Sequence, residues 1–423
     1  MRKFILLLSF MAFTFSVFAQ EKIYWATILP YENGVAQASR TESYSGGEGE
    51  WGLVDEQGNT ILEPTYKLMR PWREGLSKVL SMDGWFGFID MTGKVVIPLK
   101  YIPNCDFYYG FYNSFAAIRT YNGWGFINKK GEEVIPPNYS YVKLFNKQGY
   151  AVVYENMYWG TYCKPEITDK TKYAVIDTLG NEIIKMGKYD GISDDDGNGN
   201  FIVKQKNSEK YGVIDINDNV IVPIIYDRIN GWGQYYIVVQ KSKYGILDIN
   251  GNQQVSLKYD YIKGLHYGNK ISFYVFQNES SGLINENGEM LTMKKYETIG
   301  DYKNDGNYTN NDCGANSMAR WNRAMAKYNG KWGWVNIDGE EVISCQYDNV
   351  NQYDFRFSKT GIIAVAKKGS DRYKWGVIDT NGKIILPLIY DYVIIDKNDE
   401  EIQVSLNGRE FVVDRNGKKI RDR

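Results

Sequence analysis

The chain has 423 residues, of which 43% are hydrophobic and 24% are charged, and its formal net charge is −1. These values are typical of a folded protein rather than a disordered one, and the near-zero charge gives no long-range attraction for nucleic acid or an anionic membrane. The chain is rich in aromatic residues and glycine, with 35 Tyr, 18 Phe, 11 Trp and 42 Gly, and has one His. Aromatic residues favour strands and Gly favours turns, so the composition predicts an all-β protein.

The N-terminal segment has the features of a secretory signal peptide. Two basic residues precede a long apolar run, which ends at the small residues Val17 and Ala19. We expect residues 1–19 to be removed on export and residues 20–34 to form an N-terminal partial unit or cap. No later segment approaches the roughly 18 consecutive apolar residues that a membrane-spanning helix needs.

From residue 35 to residue 423, one motif recurs ten times. An aromatic residue followed by glycine anchors seven copies: Trp51-Gly52, Phe86-Gly87, Trp124-Gly125, Tyr211-Gly212, Tyr244-Gly245, Trp332-Gly333 and Trp375-Gly376. The other three anchors depart from this pair: Ala174 follows Tyr173, Gly282 follows Ser281, and Phe411 follows Glu410.

Each anchor is followed at a fixed offset by an acid or amide and then by glycine. Three residues after the anchor stand Asp55, Asp90, Asn128, Asp177, Asp215, Asp248, Asn285, Asn336, Asp379 and Asp414. Six residues after it stand Gly58, Gly93, Gly131, Gly180, Asp218, Gly251, Gly288, Gly339, Gly382 and Gly417. Asp or Asn that opens a type I turn bonds its own backbone, and Gly accepts positive φ, so this spacing predicts a tight hairpin turn rather than ten catalytic or metal-binding carboxylates.

A tyrosine completes the motif eight residues beyond the turn glycine. It is found at Tyr66, Tyr101, Tyr139, Tyr226, Tyr259, Tyr296, Tyr347 and Tyr390, with Tyr189 one place late. An acid often follows directly, as at Asp190, Asp227, Asp260, Glu297, Asp348 and Asp391, and a proline often precedes it, as at Pro98, Pro136, Pro223 and Pro387.

This pattern resembles the WG repeat family, also called the WG-containing β repeat, over residues 35–423. The resemblance implies a β-rich repeat array, frequent in exported bacterial proteins, with no activity common to the family.

The motif itself predicts three short strands in each unit, one before the anchor, one containing it and one after the turn. Consecutive apolar residues in the last two strands, such as Val377 with Ile378, indicate that both faces are covered. We therefore expect an all-β tandem array of about ten small antiparallel three-stranded units packed in sequence order, curved or superhelical. The alternative is a closed β-propeller-like ring.

The anchor pair is open to two interpretations. We favour packing, with each ring covering the gap beside a glycine of its own or the next unit. The alternative is a platform for stacking on sugars, an interpretation that also applies to the additional Trp-Gly pairs in residues 157–162 and 231–236.

A weak calcium candidate lies in residues 194–205, where Asp194, Asp196, Asn198 and Asn200 are spaced as in an EF-hand loop. Position twelve of that loop is Gln205 instead of the bidentate Glu, and strand-like residues follow it. A solvated acidic turn is the other interpretation.

Other chemistry has little support in the sequence. With His266 as the only histidine, a multi-histidine metal site is excluded, and we expect His266 to be a surface or turn residue. The four widely spaced cysteines, Cys105, Cys163, Cys313 and Cys345, allow one disulfide in an exported chain, with Cys313–Cys345 as a candidate. Inserts at residues 155–172 and 300–322 are candidate partner-binding segments.

The sequence thus predicts an exported, non-catalytic repeat scaffold, without a cofactor, that binds a protein or a surface in the periplasm, at the cell surface or outside the cell. The alternative is a glycan- or calcium-dependent binding module. A hydrolase with paired carboxylates on the inserts is the third hypothesis, and no segment points to such a pair.

Overall fold

The computed structural model describes residues 25–42, 48–103, 110–159, 165–300, 320–350, 357–358, 360–396 and 401–422. Within these ranges the chain folds as β-strands joined by tight turns, which confirms the all-β prediction. Two compact units are present, Met1–Lys188 and Tyr189–Arg423. The predicted signal peptide lies outside the described residues, as does most of the insert at 300–322.

The first unit contains antiparallel sheets from the first four motifs. A seven-stranded sheet holds, in this order, β1 (Thr27–Ile28), β2 (Val35–Ser39), β3 (Trp51–Asp55), β4 (Thr60–Met69), β5 (Ser77–Ser81), β6 (Phe86–Ile89) and β7 (Val95–Tyr101). A three-stranded sheet follows with β8 (Phe115–Thr120), β9 (Gly123–Asn128) and β10 (Glu133–Tyr139). The next strands are β11 (Tyr141–Val142), β12 (Tyr150–Glu155), the two-stranded ribbon β13 (Tyr158–Trp159) and β14 (Pro165–Glu166), β15 (Lys172–Asp177) and β16 (Glu182–Ile184). The strands β11, β12, β15 and β16 form one sheet.

The second unit contains the sheets of the remaining motifs. Its first two sheets are β17 (Gly191–Asp195), β18 (Phe201–Lys204), β19 (Tyr211–Ile214) and β20 (Val220–Tyr226), then β21 (Arg228–Trp232), β22 (Tyr235–Gln240), β23 (Lys243–Asp248) and β24 (Gln253–Tyr259). The next two are β25 (Tyr261–Tyr267), β26 (Lys270–Gln277) and β27 (Ser280–Ile284), then β28 (Thr298–Ile299), β29 (Ala324–Tyr328), β30 (Lys331–Val335) and β31 (Glu341–Tyr347). The last two are β32 (Asn349–Val350), β33 (Ile362–Lys368), β34 (Tyr373–Asp379) and β35 (Ile384–Tyr390), then β36 (Tyr392–Ile395), β37 (Ile402–Leu406), β38 (Arg409–Val413) and β39 (Lys419–Asp422).

Most sheets have one strand more than the three that the motif predicts. In β21–β24, for example, the predicted strands are β22, β23 and β24, and β21 is the addition. The additional strand begins directly after the tyrosine-acid pair of the preceding motif, and its second residue is a buried Ile or Val, such as Ile229 in β21 and Ile262 in β25. All ten anchors lie on the strand before the turn, as predicted.

The anchor glycine makes room for the backbone of the strand after the turn. We call the sheets that contain the seven aromatic-glycine anchors the regular sheets. In them the strand after the turn is bulged, with register shifts on either side of the pair Ile246↔Val255 in the sheet of Gly245. A Cβ added to Gly245 would lie 2.7 Å from the carbonyl oxygen of Val255. The same clash, at 2.3–2.7 Å from a carbonyl oxygen, recurs at Gly52, Gly87, Gly125, Gly212, Gly333 and Gly376.

The hypothesis that an aromatic ring covers each anchor glycine is therefore wrong at most of these positions. The space is taken by a main-chain carbonyl, because the bulge pushes the following strand over the glycine. Ring cover is found elsewhere, at Gly264, where an added Cβ would lie 2.3 Å from the ring of Trp232.

Consecutive sheets within each unit pack against each other. One apolar cluster joins Ile246 and Val255 of one sheet to Ile262 and Phe273 of the next. Further clusters join each of the following sheets to its successor. This confirms the predicted packing in sequence order, whereas the curvature of the array and the alternative of a closed ring stay predictions.

The turn glycines take part in this packing between sheets. A Cβ added to Gly251 would lie 2.4 Å from the carbonyl oxygen of Ile221, which belongs to the preceding sheet. Gly382 and Ile343 have the same relation, with a closest distance of 3.3 Å. These glycines therefore supply positive φ and also close contact with the preceding sheet.

Candidate functional site

The recurring turn carboxylates are engaged with their own backbone. In the first motif, Oδ1 of Asp55 accepts hydrogen bonds from the N–H groups of Gln57 at 3.0 Å and Asn59 at 2.7 Å. The side-chain amide of Asn59 donates to Oδ2 at 2.9 Å, and Gly58 has φ of 80°. The hydrogen bond from the Asn59 side chain is the largest influence on the pKa of Asp55, which is lowered.

The same geometry recurs along the chain, as it does at Asp248, which accepts from the N–H groups of Asn250 and Asn252 at 2.9 and 2.8 Å. Asp379 and Asp414 accept from the corresponding backbone N–H groups. These hydrogen bonds confirm the prediction that the repeated acids and amides form turns.

The aromatic anchors and the motif tyrosines face each other across two strands. The part of the chain that the structure describes has seven such pairs: Trp51↔Tyr66, Phe86↔Tyr101, Trp124↔Tyr139, Tyr211↔Tyr226, Tyr244↔Tyr259, Trp332↔Tyr347 and Trp375↔Tyr390. Directly opposite aromatic pairs stabilise antiparallel sheets, and burial raises the pKa of tyrosines such as Tyr66 and Tyr347. The anchor rings at the described positions therefore contribute to packing within the sheets.

The acid after the motif tyrosine forms an ion pair that the sequence analysis missed. Lys243, at the start of β23, donates to Oδ1 of Asp260, which lies in the link to the next sheet. The other oxygen of Asp260 accepts from the N–H of Asn278, in the turn between the second and third strands of that sheet, at 3.2 Å. One carboxylate therefore joins the end of one sheet to a turn of the next.

This arrangement, which we call the inter-sheet clasp, occurs four times among the described residues of the second unit, at Lys210–Asp227, Lys243–Asp260, Lys331–Asp348 and Lys374–Asp391. The lysine hydrogen bond is the main cause of a lowered pKa at each of the four aspartates. A backbone N–H of the next sheet lowers it further.

The sequence carries a signal for these clasps. The lysine directly precedes the aromatic anchor, and the aspartate follows 17 residues later in all four cases. Each lysine and its aspartate stand one residue outside the ring pair of the same two strands, as Lys243 and Asp260 do beside Tyr244↔Tyr259, so the hairpin that aligns the rings also aligns the charges. The signal is therefore a Lys directly before the anchor ring and an Asp directly after the motif tyrosine.

The calcium candidate forms a hairpin turn between β17 and β18. Oδ1 of Asp196 accepts from the N–H groups of Asn198 and Asn200, at 2.8 and 3.2 Å. Its Oδ2 accepts from the side chain of Asn200 and from the hydroxyl of Tyr236. Asp194 lies on β17, where the structure describes its backbone and not its side chain. Calcium binding by this turn stays a prediction.

The remaining candidate residues lie apart from one another. His266 is exposed on β25, with its ring centroid 5.9 Å from that of Trp232. In the insert at 155–172, β13 and β14 form a ribbon on which Tyr158 is 59% exposed.

Cys345 lies on β31, and burial raises the pKa of its thiol to about 11. Cys105, Cys163 and Cys313 are outside the described residues, so the proposed disulfide stays a prediction.

The described residues contain neither a metal-ligand cluster nor a helix that could span a membrane. No group of three or more His, Cys, Asp or Glu side chains is arranged there to hold a metal ion. None of the described helical segments has the length and apolar character to cross a membrane.

These features define an all-β tandem-repeat protein with recurring turns, ring pairs and clasps. The chain belongs to the family described as the WG containing repeat, which matches residues 51–84, 86–123, 124–159, 173–208, 211–244, 332–370 and 375–399. The motif and the sheets extend further, through residues 245–331 and to β39.

Several solved structures resemble this chain at low sequence identity. A eukaryotic initiation factor is 11% identical with a TM-score of 0.34, covering 82% of this chain and 95% of that chain. BamB from Moraxella catarrhalis is 10% identical with a TM-score of 0.28, covering 74% and 94%. The computationally designed Ika8 protein is 9% identical with a TM-score of 0.26, covering 83% and 94%. No curated protein matches the chain.

Proposed function

We propose that this protein is exported and serves as a non-catalytic scaffold that binds other proteins in the cell envelope. Export is supported by the signal-peptide features of residues 1–19. The scaffold role rests mainly on one observation, which concerns the last strand of each regular sheet.

The last strands share one pattern of exposure but differ in the residues that are exposed. In β7, β20, β24 and β35 the first, fourth and sixth residues are exposed, and the third and seventh are buried. We call these exposed positions the outer row. In β20 they are Val220, Pro223 and Ile225, and in β24 they are Gln253, Ser256 and Lys258. A constant frame that presents different side chains at equivalent positions is how repeat proteins build binding surfaces.

The outer row suits recognition through side chains. Each of these strands lies at the end of its sheet's strand order, and several carry an exposed proline there, such as Pro98 and Pro387. Proline has no N–H to donate, so it hinders the addition of a further strand at this edge. The partner then contacts the side chains rather than extending the sheet.

The absence of catalysis in this proposal is supported by how the repeated groups are used. The turn carboxylates accept hydrogen bonds from their own turns, and the clasp carboxylates accept from lysine and from a neighbouring turn. Such carboxylates stabilise the frame, whereas a catalytic pair needs different environments in a shared cleft.

Site-specific photo-crosslinking in cells tests the scaffold role. We would place a photoreactive amino acid at Lys258 in the outer row and, as a matched control, at the exposed Lys206 in the turn between β18 and β19. We expect defined crosslinked partners from the Lys258 position and far fewer from Lys206. Equal crosslinking from both positions, or none from Lys258 and the other outer-row positions, would contradict the proposal.

Cell fractionation tests export separately. The full chain should be recovered from the envelope or medium without residues 1–19, and a variant that lacks them should stay in the cytoplasm. Retention of an uncleaved full chain in the cytoplasm would contradict export while leaving the crosslinking result to decide the scaffold role.

A further inference from the structure

A groove of about 470 Å³ opens in the second unit, where three consecutive sheets meet. Its apolar wall consists of Ile271, Leu291 and Ile337, and Tyr235 also lines the groove. Its polar wall comes from Asn269, Lys270, Asn285, Glu286 and Asp338, which lie at or beside turns. The groove thus places charged and amide groups beside an apolar wall, an arrangement that suits a side chain with an aliphatic stem and a charged end.

Of the two described carboxylates that line this groove, one is paired with a lysine and the other is not. Both oxygens of Asp338 accept from Nζ of Lys270 at 2.7 Å, so this pair is mutually compensated. In the described part of the chain, the Glu286 carboxylate forms no hydrogen bond or ion pair, although it lines the same groove. The groove therefore has one uncompensated negative charge beside an aromatic ring.

The surroundings of Tyr235 agree with this negative character. Burial is the main cause of the raised pKa of its hydroxyl, and the charges of Glu286 and Asp248 raise it further. The ring is half-buried and is held by an edge contact to Phe273, with centroids 5.6 Å apart. A fixed ring and nearby carboxylates form a favourable place for a cation.

We propose that this groove binds an arginine side chain of a partner protein. The guanidinium lies over the face of Tyr235 and donates to the Glu286 carboxylate, while the aliphatic part of the side chain contacts Ile271 and Leu291. Arginine fits better than lysine because its planar group can stack on a ring and donate two parallel hydrogen bonds to a carboxylate at once. The inference rests on the proposed scaffold function and names one contact that the partner makes.

Ligand-observed NMR on the full chain tests this with N-acetyl-argininamide as the probe. N-acetyl-citrullinamide is the matched control, because it has nearly the same shape without the charge. We expect saturation transfer to the arginine probe, little to citrulline, and weaker binding at high salt. Equal transfer to the two compounds, or no transfer to the arginine probe, would overturn the inference.

Variants locate the binding. Glu286→Gln should lower the affinity for the arginine probe by at least about fivefold, since the hydrogen bond then has a neutral acceptor instead of a carboxylate. Glu56→Gln is the matched control, because Glu56 occupies the same position in the first turn, and it should bind as the wild type does. Tyr235→Phe keeps the ring and should retain binding, whereas Tyr235→Leu should lose it.

Unchanged affinity in Glu286→Gln would overturn the assignment. If the probe fails while outer-row crosslinks persist, the arginine contact is wrong and the scaffold function stands. Loss of both results removes the scaffold function as well.

Discussion

The sheet around Gly245 and the sheet around Ala174 follow the same motif with different outcomes. In the first, β24 runs for seven residues over the glycine and places Tyr259 opposite Tyr244. In the second, β16 has three residues and pairs only with Val175 and Ile176. The strand before the turn is equally regular in both sheets.

In this comparison the bulged strand and the opposed tyrosine occur with the glycine anchor, but among the described residues no strand follows β27 in the sheet of Gly282, so the glycine alone does not produce the bulged strand. With a Cβ at residue 174, the following strand cannot cross at the distance found beside Gly245, so it leaves the sheet early. The backbone N–H of Gly187 instead donates a hydrogen bond to the carbonyl oxygen of Tyr173, at 2.9 Å. The tyrosine of that motif, Tyr189, also comes one place late in the sequence and lies beyond the end of β16.

The largest expected effect is on the ring pairs of the regular sheets. Trp124 is 3% exposed and stands opposite Tyr139. Replacing a buried Trp by Ala typically costs about 3–5 kcal/mol, so Trp124→Ala should lower the melting temperature strongly. Tyr121→Ala is the control, because Tyr121 is 87% exposed, and it should change the melting temperature little. Equal effects of the two variants would show that the anchor ring is not a packing residue.

The turn glycines come next. Gly251 and Gly58 share φ values of 83° and 80°, but an added Cβ meets the Ile221 carbonyl oxygen at 2.4 Å only beside Gly251 and nothing within 4 Å beside Gly58. Alanine at positive φ costs about 1–2 kcal/mol in both turns, and forced contact adds about 1–3 kcal/mol in Gly251→Ala. Chemical denaturation measures the difference. Identical losses would mean that the turn does not press on the preceding sheet.

The anchor residues themselves give the most direct test of the comparison. Gly245→Ala should destabilise by about 1–3 kcal/mol, because the methyl group displaces the Val255 carbonyl. The reverse change, Ala174→Gly, relieves no contact and should cost about 0.5–1 kcal/mol through backbone entropy. Thermal unfolding of both variants checks the asymmetry. A tolerated alanine at position 245 would show that the bulge can move aside.

Sequence reasoning reached the features that depend on local chemistry. The turn residues follow from what Asp and Gly do within five residues of chain, and the anchors from β-strand preference, so both were predicted correctly. The predicted reason for the anchor glycine, cover by an aromatic ring, was wrong at most positions. The glycine is needed because a carbonyl of the next strand, ten residues away in the sequence, lies against it. The first strand of most sheets was missed because its recurring signal is a single buried Ile or Val, as at Ile229 and Ile262, and one apolar position does not predict a strand.

The clasps were missed for a related reason. Lys243 and Asp260 are 17 residues apart, and they meet because the bulged β24 returns the chain to the start of β23. The groove residues come from three motifs, and Glu286 occupies a variable turn position. Repeat alignment shows which residues are shared and therefore hides a site made from those that are not.

The smallest expected effect concerns the clasp, which the sheet of Gly245 has at Lys243–Asp260. Its aspartate is partly exposed, so Asp260→Asn should cost at most about 1 kcal/mol near neutral pH and less in high salt. Because the folded protein lowers the pKa of Asp260, the stability it contributes is present above the unfolded value of about 4 and is lost as pH falls through the folded value. The melting temperatures of the wild type and Asp260→Asn should therefore converge on acidification. A difference that stays constant from pH 7 to pH 3 would show that the carboxylate charge does not stabilise the clasp.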